Sequence, residues 1–470
     1  MKNKFLNLYS LKHFFIFLSP LPVLINLFVN FYNKEFYFSL QNSPTQIELI
    51  NLFLSFFLFI FYVYLGKILQ KLFKTRYIST SIILFWIILF SIDNIFLIIT
   101  KHLTFQDYVL IMWVFTTLLI IKFRSISESI YISFSLILLY FFYSTFIDQF
   151  SNNLFLTLDQ IYTSDEKKLW YPATKLIFEE NYYKVLTNNP YPGYGLFTSY
   201  VSSINSLFFN NFLGIFKYFP AISYVFIYLF FFFIFEISKS IKTFLYLFIV
   251  LGSIILTSNW FTYVFFGSLL SEVVSSYCFG VFITELASRE KKFDHKLISI
   301  YLVFFGFLFY TRQFLSTLVI FYISYLIIKE KKLTFSLGFI AMIIKILQSQ
   351  FIPNVIADAY INENNISQIY FNFDNISKMI FQFFIDKPIS YLALLFVILS
   401  FSNLKIVKNN LEFYNLLFLN FILVLLLVVF LWNKQDDVQS TYRYLLSTFY
   451  LILFPFCNIL DNFLEKKYID

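Results

Sequence analysis

The side chains best suited to chemistry are two adjacent acids, Asp165 and Glu166, in a polar interval of an otherwise apolar sequence. A carboxylate held at a membrane surface can accept a proton from a hydroxyl group, and its hard oxygen atoms can bind a divalent cation such as Mg²⁺ or Mn²⁺. The alternative is that the two acids only solvate a loop and cap a helix.

Two arginines could supply the opposite charge. Arg312 stands between two short apolar runs, and Arg443 is flanked by Tyr442 and Tyr444 just before the last apolar run. A guanidinium group can hold a phosphate through two parallel hydrogen bonds and offset the charge on a leaving phosphate. Each arginine could instead reach the lipid headgroups, because burying it in the membrane costs about 2.5 to 3.5 kcal/mol.

The composition is that of a membrane protein. Of 470 residues, 59% are hydrophobic and 13% are charged, and the mean hydropathy is +0.73, whereas soluble chains carry roughly 25% charged residues. The net charge of +8 comes from short clusters of lysine and arginine between apolar runs. The positive-inside rule accounts for this pattern, so no nucleic-acid partner is expected. The scattered histidines and cysteines favour neither a zinc site nor a disulfide framework.

The apolar runs predict an all-α polytopic membrane protein. Runs of about 20 residues are long enough to cross the bilayer, and the basic clusters orient about 14 spans with both termini in the cytoplasm. Residues 11–31 are expected to form a first transmembrane helix rather than a removed signal peptide, because no small-residue cleavage site follows them. The basic segments 67–76 and 289–296 are then cytoplasmic.

This topology divides one integral membrane unit into three parts. Transmembrane helices are expected in residues 1–147 and 212–470, and residues 148–211 form an extracytoplasmic acidic loop that carries interfacial helices. Within the spans, Glu272 and Asp93 are the ionisable exceptions. Glu272 lies near the middle of its span, where a carboxylate should be protonated, paired or facing a cavity.

Two short helices are expected in the acidic loop. Pro172 suits the first turn of a helix, and the side chains that then share one amphipathic face are Ala173, Leu176, Ile177 and Glu180. An odd number of crossings must separate the loop from the next cytoplasmic cluster, so residues 196–211 are not counted as a span. Their polar side chains recur at helical spacing, as in an interfacial helix: Thr198, Ser202, Asn205 and Ser206.

The sequence around the acidic pair resembles a family. Asp165 and Glu166 are followed by Trp170, by the Pro-Ala-Thr-Lys segment at 172–175 and by the Tyr-Pro-Gly-Tyr-Gly segment at 191–195. This order is similar to the first large extracytoplasmic loop of the GT-C superfamily of polytopic membrane glycosyltransferases. The Tyr-Arg-Tyr segment at 442–444 adds weaker support. In many members the acidic loop follows the first span, whereas here about five predicted spans precede it.

The resemblance implies an enzyme that transfers a sugar from a polyprenyl-phosphate carrier to an extracytoplasmic glycan, lipid or protein. It implies that Asp165, with Glu166 as a second candidate, is the catalytic base or a metal ligand. It also implies that Arg443, beside Tyr442, approaches the donor phosphate. Arg312 is expected to share that site because of its charge and its predicted position near the outer face. A bacterial inner membrane is the expected location.

Two other functions stay open. An O-antigen-type polysaccharide polymerase or ligase also uses lipid-linked sugars, but such proteins have a large late loop rich in arginine or histidine, and residues 352–386 contain neither. A transporter or flippase of lipid-linked sugars would instead place Glu272 in a central cavity between repeated halves.

Overall fold

The computed structural model describes residues 45–96, 171–179, 197–207, 220–257, 271–288 and 446–466. Throughout these ranges the regular secondary structure is α-helical, which agrees with the all-α part of the predicted class. The helices are α1 (Thr45–Phe73), α2 (Ile78–Phe96), α3 (Tyr171–Glu179), α4 (Phe197–Leu207), α5 (Pro220–Ile237), α6 (Ile241–Thr257), α7 (Ser271–Ala287) and α8 (Leu446–Lys466).

The described residues contain one bent pair of helical segments that could cross a membrane. No single helix in this part of the chain is both long and apolar enough to span the bilayer. The segments Tyr62–Phe73 and Ile78–Phe90 meet that requirement only as a pair, and they are bent by 87° at the break between them. Val225–Ile237 and Ile241–Gly252 are apolar but shorter. The remaining predicted spans lie largely outside the described residues.

The basic segment between α1 and α2 is more helical than the sequence suggested. We expected a loop over residues 67–76, but α1 continues to Phe73. Lys74 then takes a left-handed backbone conformation with φ of 54°, which is a common way for a helix to end. Gln70 Nε2 closes the turn by donating to the carbonyl oxygen of Arg76 at 2.8 Å.

Aromatic side chains fill the contacts between the long helices. Tyr62 of α1 meets Trp86 of α2 edge to face at 5.4 Å between ring centroids, and Phe59 lies 5.5 Å from Tyr228 of α5. These rings are fully buried, so each contributes a large apolar area to the core, and edge-to-face pairs add about 0.5 to 1.5 kcal/mol.

Helices α7 and α8 approach each other closely at Gly280. A Cβ atom added to this residue would lie 2.3 Å from Cβ of Tyr450. The missing side chain therefore allows the two backbones to come together.

Four chain segments meet at one end of this bundle: the start of α2, the turn between α5 and α6, the end of α7 and the end of α8. Hydrogen bonds join the start of α2 to Glu236 and to Glu285, and join the α5–α6 turn to Asp461. Contacts among these segments are compatible with the predicted topology, in which all four lie on the cytoplasmic side. The membrane and its two sides stay a prediction.

Candidate functional site

The residues predicted to carry the chemistry are outside the described residues: Asp165, Glu166, Arg312, Tyr442 and Arg443. Whether they share a cavity therefore stays a prediction. Two adjacent helices are described, since α3 begins shortly after the acidic pair and α8 begins shortly after Arg443. Glu272 and Asp93 belong to α7 and α2, but their side chains are not among those described.

Helix α3 confirms the helix predicted from Pro172, which lies in its first turn. Ala173 and Ile177 are 1% and 0% exposed, as expected for two residues spaced four apart on one face. That face packs against α4, and Ser203 Oγ of α4 lies 3.1 Å from the carbonyl oxygen of Thr174. The short helix after the acidic pair is thus fixed to a second helix.

Helix α4 confirms the second short helix but differs from our interpretation of its polar stripe. Its 11 residues extend about 16 Å, too short to cross a bilayer. An interfacial helix would turn its polar stripe to water, yet Thr198 and Ser202 are 2% and 1% exposed. Small hydroxyl side chains allow close packing, and they can bond to the carbonyl one turn earlier, as Ser203 Oγ does with Ser199 O at 2.7 Å.

Phe90 attaches the α3–α4 pair to the bundle. Its ring lies 5.4 Å from Phe197 and 5.1 Å from Tyr200, both edge to face. Phe90 is about 18 Å along α2 from Ile78, at 1.5 Å per residue. The helix pair beside the acidic segment is therefore held at a distance from the end where α2 begins.

Glu285 occupies the opposite end of the bundle, where it binds the start of α2. Its side chain is fully buried, and its carboxylate accepts hydrogen bonds from the backbone N–H of Arg76 at 2.7 Å and of Tyr77 at 3.0 Å. Thr80 Oγ1 donates a third bond at 2.9 Å. The Arg76 guanidinium donates to the carbonyl oxygen of Ser288, three residues beyond Glu285.

Glu236 of α5 also binds the start of α2. It accepts hydrogen bonds from the backbone N–H of Ile78 at 2.6 Å and of Ser79 at 3.0 Å, and from Ser79 Oγ at 2.6 Å. The first backbone donors of a helix lack partners within the helix, and the dipole favours negative charge there. Two glutamates therefore satisfy successive N–H groups at the start of α2.

Asp461 has the same role at the start of α6. The side chain is 2% exposed, and its two oxygen atoms accept from the backbone N–H of Lys239 at 3.0 Å and of Ser240 at 3.1 Å. Ser240 Oγ in turn accepts from the N–H of Thr243 at 3.1 Å, the usual geometry of an N-cap serine. The buried acids of this end are thus bound to backbone donors.

Tyr77 lies between the two glutamates and is 6% exposed. Burial raises the pKa of its phenol from 10.0 to about 12, and the Arg76 guanidinium and a hydrogen bond to Ser288 oppose that rise. The phenol is therefore neutral at physiological pH.

Sequence reasoning missed the capping acids. Glu285 and Glu236 each lie at the end of an apolar run, and neither was predicted to bind another helix. The available signal was an acid in the last turn of an apolar helix, where the dipole disfavours negative charge. Such an acid needs a donor from elsewhere in the fold.

The described residues contain no group of three or more His, Cys, Asp or Glu side chains that could hold a metal ion. The acidic pair proposed to bind Mg²⁺ or Mn²⁺ is outside those residues. Cys278 and Cys457 are both buried and free.

Comparison of the chain with protein-family models, with curated proteins and with solved structures finds no match. Function is therefore inferred from this chain's own residues.

Proposed function

We propose that the chain is an integral-membrane glycosyltransferase of the GT-C type. It transfers a sugar from a polyprenyl-phosphate carrier to an extracytoplasmic glycan, lipid or protein. Asp165 is the base, with Glu166 beside it as a second candidate. Arg312 and Arg443, with Tyr442 next to the latter, hold the phosphate of the donor.

The observation that carries the proposal is the anchoring of the segment next to the acidic pair. A catalytic base must come within about 3 Å of the proton it accepts, so its loop needs a fixed support. Helix α3 follows the pair directly and buries Ala173 and Ile177. Its partner α4 is fixed in turn to Phe90 of α2. The two short helices therefore provide a support on which the acidic loop can be held.

Charge at the other end of the bundle supports an extracytoplasmic position for this loop. The cations exposed near the start of α2, in the α5–α6 turn and in the first turn of α6 are Lys71, Lys74, Arg76, Lys239 and Lys242. At the same end, Glu236, Glu285 and Asp461 accept bonds from backbone N–H groups. Positive side chains accumulate on the cytoplasmic side of membrane proteins. The α3–α4 pair is remote from that end, which supports an outer position for it.

The proposed reaction is a direct displacement. The oxygen of the acceptor hydroxyl forms a bond with the anomeric carbon as the bond from that carbon to the phosphate oxygen breaks. The hydroxyl proton passes to Asp165, and the electron pair of the broken bond leaves with the phosphate. Arg312 and Arg443 offset the charge on that group, and attack from the opposite face inverts the anomeric configuration.

Exchange of Asp165 for asparagine in the native host tests the proposal. Loss of a general base lowers the rate by about 10² to 10⁴-fold, so the corresponding envelope glycan should disappear while the protein is still made and inserted. Asp159→Asn is the matched control, because Asp159 is in the same acidic interval without a predicted role. Unchanged glycans in Asp165→Asn and in Glu166→Gln would refute the assignment.

A transporter or flippase of lipid-linked sugars is the second candidate, and helix α7 is the observation that favours it. This helix carries Glu272 and several hydroxyl side chains. Among the described residues, Ser275 Oγ and Thr284 Oγ1 are buried without a hydrogen-bond partner. Buried polar groups usually have partners, so each of these hydroxyls could hold a water molecule or a polar group of a substrate. Transport of a labelled lipid-linked sugar across vesicles, with no transfer to an acceptor, would favour this function.

A further inference from the structure

One side of α6 is an exposed apolar surface. Among the described residues, the large apolar side chains that are exposed are all in this helix: Ile241, Leu245, Tyr246 and Ile249, at 37%, 38%, 37% and 64%. Residues at this spacing share one side of a helix. We call them the α6 stripe. It extends about 12 Å along the helix axis, at 1.5 Å per residue.

Two lysines stand at one end of the α6 stripe. Lys239 is exposed in the turn before α6, and Lys242 is exposed in the first turn of the helix, next to Ile241. Both side chains are exposed, and positive charge at a helix start is opposed by the helix dipole. Asp461 and the cap of Ser240 stabilise this helix start through backbone N–H groups.

We propose that this side of α6 binds one anionic phospholipid. The phosphate of the headgroup contacts the ammonium groups of Lys239 and Lys242, and an acyl chain lies along the α6 stripe. The inference rests on the proposed membrane location and not on the proposed glycosyl transfer.

The combination of charge and apolar surface selects this ligand. A free phosphate ion would use the lysines but would leave the stripe exposed. A neutral lipid would use the stripe alone. In a symmetric contact between two copies, the same patch would face itself, so the lysines of parallel α6 helices would meet like charges. An anionic lipid satisfies both features.

Lipid binding to the purified full chain tests the proposal. Membranes are first washed with alkaline carbonate to establish that the chain is retained. Native mass spectrometry then measures binding of phosphatidylglycerol and of phosphatidylcholine with the same acyl chains. We expect tighter binding of phosphatidylglycerol. Each lysine near an anionic group contributes about a fivefold effect, so Lys239→Gln with Lys242→Gln should weaken that binding about thirtyfold.

Two controls separate the parts of the site. The double variant Lys71→Gln and Lys74→Gln removes the same charge from the neighbouring turn and should leave phosphatidylglycerol binding unchanged. Ile249→Ser reduces the apolar surface and should weaken the binding of both lipids.

Equal losses in the two lysine double variants would overturn the proposal, because they would indicate diffuse surface charge. Equal binding of the two lipids to the unaltered chain would also overturn it. So would disulfide crosslinking between copies through Leu245→Cys, since the stripe would then be a protein interface. Release of the chain by carbonate would refute the membrane location itself, whereas the glycan phenotype of Asp165→Asn reports separately on the proposed function.

Discussion

Exchange of Gly280 for alanine should destabilise the contact between α7 and α8. The new Cβ atom would lie 2.3 Å from Tyr450 Cβ and 3.0 Å from its Cγ, whereas ordinary contacts are 3.4 to 4 Å. Tyr450 Cβ is fixed to the backbone and cannot rotate away. The two helices must therefore separate by about 1 Å, and overpacking of this kind costs about 1 to 3 kcal/mol.

The helix propensity of alanine offsets part of that cost, because alanine is favoured over glycine by about 1 kcal/mol inside a helix. The net loss of stability should be at most about 2 kcal/mol. Gly66→Ala is the matched control in α1. Its Cβ would meet Ile78 Cγ2 at 2.7 Å, Ile82 Cγ1 at 2.8 Å and the carbonyl oxygen of Ile78 at 3.2 Å, so the overlap is smaller than the 2.3 Å approach at Gly280. Its cost should be smaller than that of Gly280→Ala.

Unfolding of the full chain in detergent micelles, titrated with a denaturing detergent, would measure both variants. A second test combines Gly280→Ala with a change at Tyr450. Tyr450→Ala keeps the Cβ atom and so should not relieve the clash that Gly280→Ala introduces, whereas Tyr450→Gly should relieve it. Equal stability of Gly280→Ala and the unaltered chain, together with a larger loss in Gly66→Ala, would refute the close approach of α7 to α8.

Three further predictions concern the end of the bundle where Glu236, Glu285 and Asp461 bind helix starts. Replacing Glu285 by alanine leaves the N–H groups of Arg76 and Tyr77 without an acceptor and should cost about 2 to 3 kcal/mol; the same denaturation assay should show a smaller loss for Glu285→Gln. The phenol of Tyr77 has a pKa of 10.0 when unfolded and about 12 when folded, so its contribution is complete below pH 10 and is lost between pH 10 and 12. That pH-dependent loss of stability should vanish in Tyr77→Phe, as alkaline unfolding would measure; an unchanged alkaline slope in that variant would contradict it. Cys278 and Cys457 are buried, so a maleimide should not label the unaltered chain. Cysteines introduced in place of Lys74 or Lys239 should be labelled, and only from the cytoplasmic side. Labelling from outside would contradict the predicted topology.

Apolar runs and local turn signals predicted much of the described helical structure. The run at 241–256 became α6, Ile241–Thr257, and the run at 77–100 contains α2, Ile78–Phe96. Pro172 placed the start of α3 because its missing N–H is tolerated in a first helical turn. Local chain chemistry decides these features, so they could be predicted from sequence alone.

The environment of α4 could not be predicted in the same way. Its sequence gives a helix with a polar stripe whether the hydroxyls face water or a neighbouring helix. The packing of α3 and of Phe90 on α4 determines that the hydroxyls face protein, and Thr198 and Ser202 are buried. Residue spacing fixes which side chains share a face, but only tertiary contacts determine what that face touches.

The hydrogen bonds of Glu236 and Glu285 to the start of α2 could not be predicted from the sequence either. Ile78 and Glu236 are 158 residues apart in sequence, and Arg76 and Glu285 are 209 apart, so no local pattern pairs them. Each glutamate lies in the last turn of its own helix, where the dipole opposes its charge. Because each accepts backbone N–H groups at the start of α2, the unfavourable position in one helix becomes a favourable one in the other. A lone acid at the end of an apolar helix therefore indicates that the start of another helix packs beside it.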